Sequence, residues 1–143
     1  MKRALITISR LTGMASIVLM FLAVTAIVSP AQTLTTLVTF DVTNGAEPGA
    51  SLIQGTDGNF YGTAFYGGTN SSGTVFEMTP AGALTTLYSF CSQSGCTDGA
   101  NPSGALVQGT DGDFYGTTGF GGVGTGHGTV SYTHLTLPTT ERV

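Results

Sequence analysis

Hydrophobic and polar residues follow two different patterns along this chain. From Leu11 to Val28, apolar and small residues form one uncharged run, which Lys2, Arg3 and Arg10 precede. Beyond position 32, the apolar residues come instead in short stretches that are rich in Thr and Phe and are separated by glycines and Asp-Gly pairs. Short stretches of this kind, bounded by turn residues, predict β-strands. The pattern therefore predicts an apolar N-terminal segment followed by a β-sheet body.

The N-terminal segment has the organisation of a secretory signal peptide. A positive region precedes the apolar run, and Ser29-Pro30-Ala31 supplies the small residues that a signal peptidase recognises. We predict cleavage after Ala31, so that 1–31 is a signal peptide and the protein is extracellular or attached to the cell surface. The alternative is an uncleaved N-terminal membrane anchor, because the run approaches the roughly 18 residues needed to cross a bilayer.

The body contains two copies of one sequence. The segment Gln54–Thr63 reads QGTDGNFYGT, and Gln108–Thr117 reads QGTDGDFYGT. The tetrapeptide LTTL also occurs twice, at 34–37 and at 84–87. The extra residues of the second copy lie in one loop, as tandem structural repeats require. We assign the first repeat to 32–83 and the second, truncated repeat to 84–130.

Each copy is predicted to form about four antiparallel strands. Asp57-Gly58 and Asp111-Gly112 are predicted to form two-residue type I′ hairpin turns. The fold class is all-β, with two blades of an incomplete β-propeller as the architecture and a β-solenoid as the alternative. The strands predicted for the first copy are Leu34–Phe40, Ser51–Gly55, Asn59–Phe65 and Gly73–Thr79.

Charge restricts the partners of this body. Charged residues make up only 8% of the chain, and Arg142 is the one basic residue that follows the apolar run. A surface so poor in Lys and Arg cannot neutralise a phosphate backbone, which excludes nucleic acids as partners. An anionic membrane surface is excluded for the same reason. A cell-surface or polysaccharide ligand stays open, and no cofactor is predicted.

The candidate sites in the body are structural. Cys91 and Cys96 lie in the loop insertion and are predicted to form a disulfide, with two free thiols as the alternative. Asp57 and Asp111 begin a pattern of alternate oxygen ligands that resembles a calcium loop. The bidentate Glu of such a loop is absent, so turn chemistry explains these residues and no metal site is predicted.

No catalytic residue is predicted. His127 is the one His before position 131, and it has no counterpart in the first copy. Nucleophilic catalysis needs a base beside a Ser or Cys, and paired carboxylates for sugar hydrolysis would have to come from turn Asp residues and Glu77. The Phe-Tyr pairs at 60–61, 65–66 and 114–115 and Phe120 are interpreted as packing residues of the sheets, with stacking on sugars as the alternative.

The repeated motifs resemble a known family. The segments QGTDGNFYGT, GTVFEMTP at 73–80 and LTTLYSF at 84–90 resemble the GloVer tandem repeat of bacterial "choice-of-anchor" surface proteins. The resemblance implies an exported protein with many β repeats and a C-terminal anchor. The functional hypothesis is an exported non-enzymatic repeat protein, structural or ligand-binding at the cell surface. The alternative is a fragment of an exported carbohydrate-active enzyme whose catalytic residues lie outside this chain.

The C-terminal segment departs from the repeat. After Val130 the first copy predicts FEMTP, whereas 131–140 reads SYTHLTLPTT. We predict that 131–143 is a non-native tail that resembles a translated sequencing adapter, the alternative being a divergent capping segment. The second copy is then expected to lose its fourth strand, with Leu135–Val143 irregular. Two repeats are too few to close a propeller, so Gln32–Val130 is expected to be only marginally stable.

Overall fold

A computed structural model describes residues 32–124 and 126–133. The chain divides into two compact units, Met1–Thr35 and Thr36–Val143, and all the described strands belong to the second unit. The predicted signal peptide lies outside the described residues, among which no helix is long and apolar enough to cross a membrane.

The described residues form an all-β structure, which confirms the predicted fold class. A single 3-10 turn, Ser94–Cys96, is the one helical element among them. The strands form two four-stranded antiparallel sheets. The first sheet contains β1 Ile53–Gln54, β2 Phe60–Ala64, β3 Thr74–Met78 and β4 Leu84–Ser89, and the second contains β5 Ala100–Pro102, β6 Val107–Gln108, β7 Phe114–Phe120 and β8 Val130–Thr133.

In the first sheet the strands pair in chain order, β1-β2-β3-β4. Tyr61 of β2 lies opposite Ile53 on one side and Glu77 on the other. The register between β3 and β4 shifts at Val75 and Phe76, which marks a bulge. This order places successive hairpins side by side, as expected of a propeller-type blade.

In the second sheet β7 is central. β5 and β6 both pair with β7, and β8 pairs with it from Phe114 to Thr117. The bridge Ala100↔Phe120 of this sheet has its counterpart in the isolated bridge Ala46↔Tyr66 of the first copy. The strands β6, β7 and β8 are therefore equivalent to β1, β2 and β3 of the first sheet, whereas β4 has no counterpart among the described residues of the second copy.

The sheets are offset from the sequence repeats. β4 belongs to the second sequence repeat, yet it pairs with β3 of the first. The Thr79 N–H donates to the Ala83 carbonyl at 2.9 Å, so a tight turn returns β4 directly onto β3. The prediction of a strand at Leu34–Phe40 is wrong, because these residues, which correspond to β4, have no strand of the β3 type to pair with among the described residues.

The prediction that the second copy loses its fourth strand is also wrong. β8 continues through Thr133 and pairs with β7 over four residue pairs. The hydrogen bonds between paired strands are made by backbone groups, and Val, Tyr and Thr are residues that favour strands. The departure from the repeat sequence therefore does not prevent pairing. The Tyr132 ring also lies 5.9 Å from that of Tyr115. Residues 134–143 lie outside the described residues, and the non-native origin of the tail stays a prediction.

The core lies between the two sheets. The rings of Tyr61 and Phe114 stack at 4.0 Å, so the two sheets share one aromatic contact at their centre. The predicted packing role therefore holds for these two residues, whereas Tyr115, Tyr66 and Phe120 are exposed. The buried cluster consists of Tyr61, Val75, Phe90, Leu106 and Phe114.

Candidate functional site

The QGTDG segment forms a hairpin turn with one residue more than predicted. The Gly55 N–H donates to the Asn59 carbonyl at 2.8 Å, and the Gly58 N–H donates to the Gly55 carbonyl at 3.0 Å. A type I′ turn needs positive φ at both central residues, but only Gly58 has it, at +88°. The type I′ prediction for Asp57-Gly58 is therefore wrong. Thr56 also belongs to the loop, so three residues and not two connect the strands.

The second copy repeats this geometry. The Gly112 N–H donates to the Gly109 carbonyl at 3.1 Å, and Gly112 has φ +90°. The type I′ prediction for Asp111-Gly112 is wrong for the same reason. In both copies the Asp side chain also accepts a backbone N–H two residues later, at 3.1 Å in the first copy and 3.2 Å in the second.

The turn carboxylates bind tyrosine hydroxyls. Tyr61 donates to Asp57 Oδ2 at 2.6 Å, and Tyr115 donates to Asp111 Oδ2 at the same distance. Partial burial acts to raise the pKa of Asp57, but hydrogen bonds from Tyr61 and from the Asn59 amide hold it below its ordinary value. Burial, and then the bond to Asp57, raise the pKa of Tyr61. The bond to Asp111, and then burial, raise the pKa of Tyr115 to about 12. Asp57 is therefore a charged acceptor that fixes its turn, and Asp111 accepts the equivalent bond in the second copy.

The side chains that begin the calcium-loop pattern, Asp57 and Asn59, also hold the turn in place. The Asn59 side-chain amide donates to both Asp57 and Glu77, which links the turn to β3. Among the described residues, no group of three or more His, Cys, Asp or Glu side chains is placed to hold a metal ion. In the first copy, both oxygen atoms of the Asp57 carboxylate are engaged within the hairpin.

Polar contacts connect the two turns and the two sheets. The Thr56 N–H donates to Gln108 Oε1 at 3.0 Å, so the turn of the first copy contacts the strand β6 of the second. Thr63 Oγ1 donates to the Gly104 carbonyl at 3.1 Å. Together with the Tyr61–Phe114 stack, these bonds define the contact between the sheets, called here the intersheet joint.

Cys91 and Cys96 form the predicted disulfide. The loop that they close is held to the segment that follows β7, because the Gly122 N–H donates to the Cys96 carbonyl at 2.9 Å. Both cysteines have positive φ, 58° and 52°. This bond therefore stabilises a tightly curved segment next to the intersheet joint.

Asp98 organises the same loop. Its carboxylate accepts the Tyr88 hydroxyl at 2.7 Å, the Ser92 N–H at 2.8 Å and the Gln93 N–H at 3.2 Å. Partial burial acts to raise its pKa, but the hydrogen bonds from Tyr88 and Ser92 outweigh it and lower the pKa to about 2. Sequence reasoning missed Asp98 and Tyr88; the available signal was that Asp98-Gly99 forms an Asp-Gly pair in the insertion.

A pocket of about 310 Å³ opens between the sheets. Its wall is apolar on the side of Val75, Phe90 and Leu106, while Tyr88 and Asp98 add polar groups. Further lining residues come from β7 and β8, including Thr117, Ser131, Tyr132 and Thr133. The pocket combines aromatic and hydroxyl groups, a lining suited to a small hydroxylated ligand.

The remaining candidates are not brought together. His127 is exposed in the loop before β8. The glycines of 119–124 complete β7 and a turn, and no helix follows them in the described part of the chain. The sequence GFGGVG at 119–124 formally satisfies the dinucleotide-binding pattern, but a pyrophosphate site of that type needs such a helix N-terminus, so we interpret the segment as a Gly-rich loop.

Comparison with known proteins gives one finding. The family model described as the Gloeobacter/Verrucomicrobia repeat matches residues 23–141. The matched range includes most of the segment predicted to be non-native. No curated protein and no solved structure matches the chain significantly.

Proposed function

We propose, from the premise that this chain belongs to the Gloeobacter/Verrucomicrobia repeat family, that it is an exported, non-enzymatic structural module of the bacterial cell surface. In this role the repeats supply rigid β-sheets that stack on one another. Binding or catalysis is not required of the residues that the copies share.

One observation carries the proposal. The two acidic residues that recur at the same place in the motif, Asp57 and Asp111, both accept a tyrosine hydroxyl at 2.6 Å and a backbone N–H of their own turn. A general acid or nucleophile must reach a substrate. Asp57 and Asp111 instead make the same bonds within their own hairpins, which indicates that these residues stabilise the turn. The repeated chemistry therefore supports folding of the repeat.

The disulfide supports export. Disulfides persist in oxidising compartments and are rare in the cytosol, and Cys91–Cys96 closes a loop in this chain. Protease treatment of intact bacteria that produce the full chain tests the location. Digestion of the chain with the cell envelope intact agrees with the proposal, and protection until lysis contradicts it.

The structural role is tested with Asp57→Asn. The variant is expected to lower the free energy of unfolding, because the amide is a weaker acceptor for Tyr61 than the carboxylate. Asp113→Asn is the matched control, since the first copy already has Asn59 at that position. Both variants and the parent chain are incubated with bacterial and plant polysaccharides, and released reducing ends are measured. Hydrolysis by the parent chain that Asp57→Asn abolishes would overturn the proposal.

The pocket supports ligand binding as a second candidate function. Thr133 Oγ1 is buried and has no hydrogen-bond partner among the described residues, and Thr133 lines the pocket. A hydroxyl of a mono- or disaccharide could satisfy it. Saturation-transfer NMR with a sugar panel tests this candidate, and Leu106→Trp, which fills the pocket, should abolish any signal. A signal that persists in the filled variant excludes the pocket as the site.

A further inference from the structure

Corresponding faces of the two sheets differ in exposure. The face of the first sheet that carries Tyr61 and Val75, here the Tyr face, packs in the intersheet joint, and these residues are 1% and 3% exposed. The Tyr face of the second sheet carries their equivalents Tyr115 and Val130, which are 37% and 79% exposed. Val107 and Tyr132 extend it. A contiguous exposed apolar patch of this kind indicates an interaction surface.

On the opposite faces of the two sheets, the face of the second sheet is the more buried one. The face of the second sheet that carries Leu106 and Phe114, here the Phe face, lies in the joint, with Leu106 only 5% exposed. On the first sheet the equivalent residue Leu52 is 49% exposed and Phe60 is half-buried. Phe76, on the same face, is buried under the Phe40 ring, whose centre lies 5.0 Å away. The chain therefore has one occupied joint, an exposed Tyr face on the second sheet, and a Phe face on the first sheet that is uncovered only around Leu52 and Phe60.

We propose that the Tyr face of the second sheet binds the Phe face of the first sheet of a second copy of this chain. The intersheet joint within the chain shows what covers a Tyr face, and a second copy presents that surface. In the docked pair, Tyr115 takes the place of Tyr61 and Phe60 takes the place of Phe114. The proposal goes beyond the structural role, which a monomer could also fulfil.

Polar groups at the two faces match as well. In the occupied joint, Gln108 accepts the Thr56 N–H. The equivalents are Gln54 and Thr110, and Thr110 is exposed on the second sheet. The Gln54 side chain already donates to the Gly58 carbonyl at 3.1 Å, as that of Gln108 does to the Gly112 carbonyl. The side-chain oxygen of Gln54 is thus oriented like that of Gln108 in the occupied joint.

One position differs between the two joints. In the occupied joint the Asn101 side-chain amide donates to the Phe65 carbonyl at 3.1 Å. Glu47 corresponds to Asn101 and has the same φ of 55°, but its carboxylate cannot donate. Glu47→Asn restores the donor and is expected to strengthen association between copies.

Such an interface is heterologous, because different faces of the two copies meet, and it continues head to tail. Two blocking variants of the full chain test this. Val107→Lys blocks the Tyr face, and Leu52→Lys blocks the Phe face. Val123→Lys is the matched control, since Val123 is 92% exposed in the loop after β7 and belongs to the strands of neither face. Sedimentation velocity over a concentration series measures association.

The expected results distinguish this interface from other modes of association. The parent and Val123→Lys associate progressively, and Glu47→Asn does so at lower concentration. Each blocked variant alone is weakened by about tenfold or more, because Lys would bury an unpaired charge. Their equimolar mixture forms dimers and nothing larger, since one compatible pair of faces remains.

Three results would overturn the proposal. They are a monomeric parent chain up to millimolar concentration, undiminished association of Val107→Lys, and failure of the mixture to dimerise. Circular dichroism checks that the variants are folded. If Leu52→Lys is unfolded, Gln54→Ala replaces it, because Gln54 is exposed and its loss removes only the bonds of its amide.

Discussion

At the scale of single residues, identical side chains in the two copies have different surroundings. Tyr61 and Tyr115 make the same hydrogen bond to an Asp of the turn. Tyr61 is buried in the intersheet joint, whereas Tyr115 lies on the exposed Tyr face. The chain thus provides an internal comparison of one interaction at two depths.

Tyr61→Phe is expected to destabilise the chain more than Tyr115→Phe. Removal of the Tyr61 hydroxyl takes one donor from the Asp57 carboxylate, which keeps only the two donors of Asn59, and a hydrogen bond to a charged group contributes about 1.5–3 kcal/mol. Water replaces the lost donor at the exposed Asp111. Urea unfolding of both variants measures the difference. Equal losses would show that the joint does not shield the bond.

Stability is expected to decrease in acid because of Asp98. Its pKa in the folded chain is about 2, below the ordinary value of 3.8. A depressed pKa means that the folded state binds fewer protons than the unfolded state, so this stabilisation is complete above the unfolded pKa and is lost as the pH falls toward 2. Thermal unfolding from pH 6 to pH 2 should show a shallower decline for Asp98→Asn than for the parent. An unchanged decline would assign the acid sensitivity to other carboxylates.

At the scale of elements, strand content could be predicted from sequence more easily than strand partners. The Thr- and Phe-rich stretches predicted β2 and β3 almost to their ends. The pairing of β4 with β3 could not be read from the repeat, because a repeat gives a period and not the point at which a sheet begins. The turn type was missed because Asp-Gly alone does not reveal that Thr56 joins the loop.

The candidate site was predictable to a similar degree. The disulfide between both cysteines was predicted from their place in the loop insertion and from the predicted export of the chain. Asp98 was not, because its four donors come from Tyr88, Ser92 and Gln93, which the loop brings together only when folded. Hydrogen bonds between loop residues depend on backbone geometry that residue types do not specify.

Reduction of the disulfide is expected to lower the free energy of unfolding by roughly 2 kcal/mol, because it releases the unfolded chain from a small closed loop. Chemical denaturation with and without a phosphine reductant measures the change. The Cys91→Ser, Cys96→Ser double variant is the control and should not respond to reductant. A response of the control would point to an effect unrelated to the disulfide.

At the scale of the whole molecule, the second unit depends on one shared core. Residues of both sheets contribute to the cluster around Tyr61 and Phe114, and the pocket lies beside it. Each sheet therefore depends on the other for burial of its apolar face, as repeat proteins generally do.

Phe114→Ala is expected to destabilise both sheets. Removal of a buried Phe side chain costs about 3–5 kcal/mol, and the cavity would lie against Tyr61 of the other sheet. Phe120→Ala, at an exposed position, should change stability by no more than about 0.5 kcal/mol. Hydrogen exchange should show protection lost in β2 as well as in β7. Protection retained in β2 would show that the sheets fold independently.

The offset between sheet and sequence repeat has an evolutionary consequence. Since β4 comes from the copy that follows β3, one sheet spans two copies of the genetic period. Duplication of one full period inserts one complete sheet wherever the recombination breakpoint falls, because every strand regains a neighbour of the correct type. Such an array can lengthen or shorten by unequal crossing-over without a new strand pairing having to evolve.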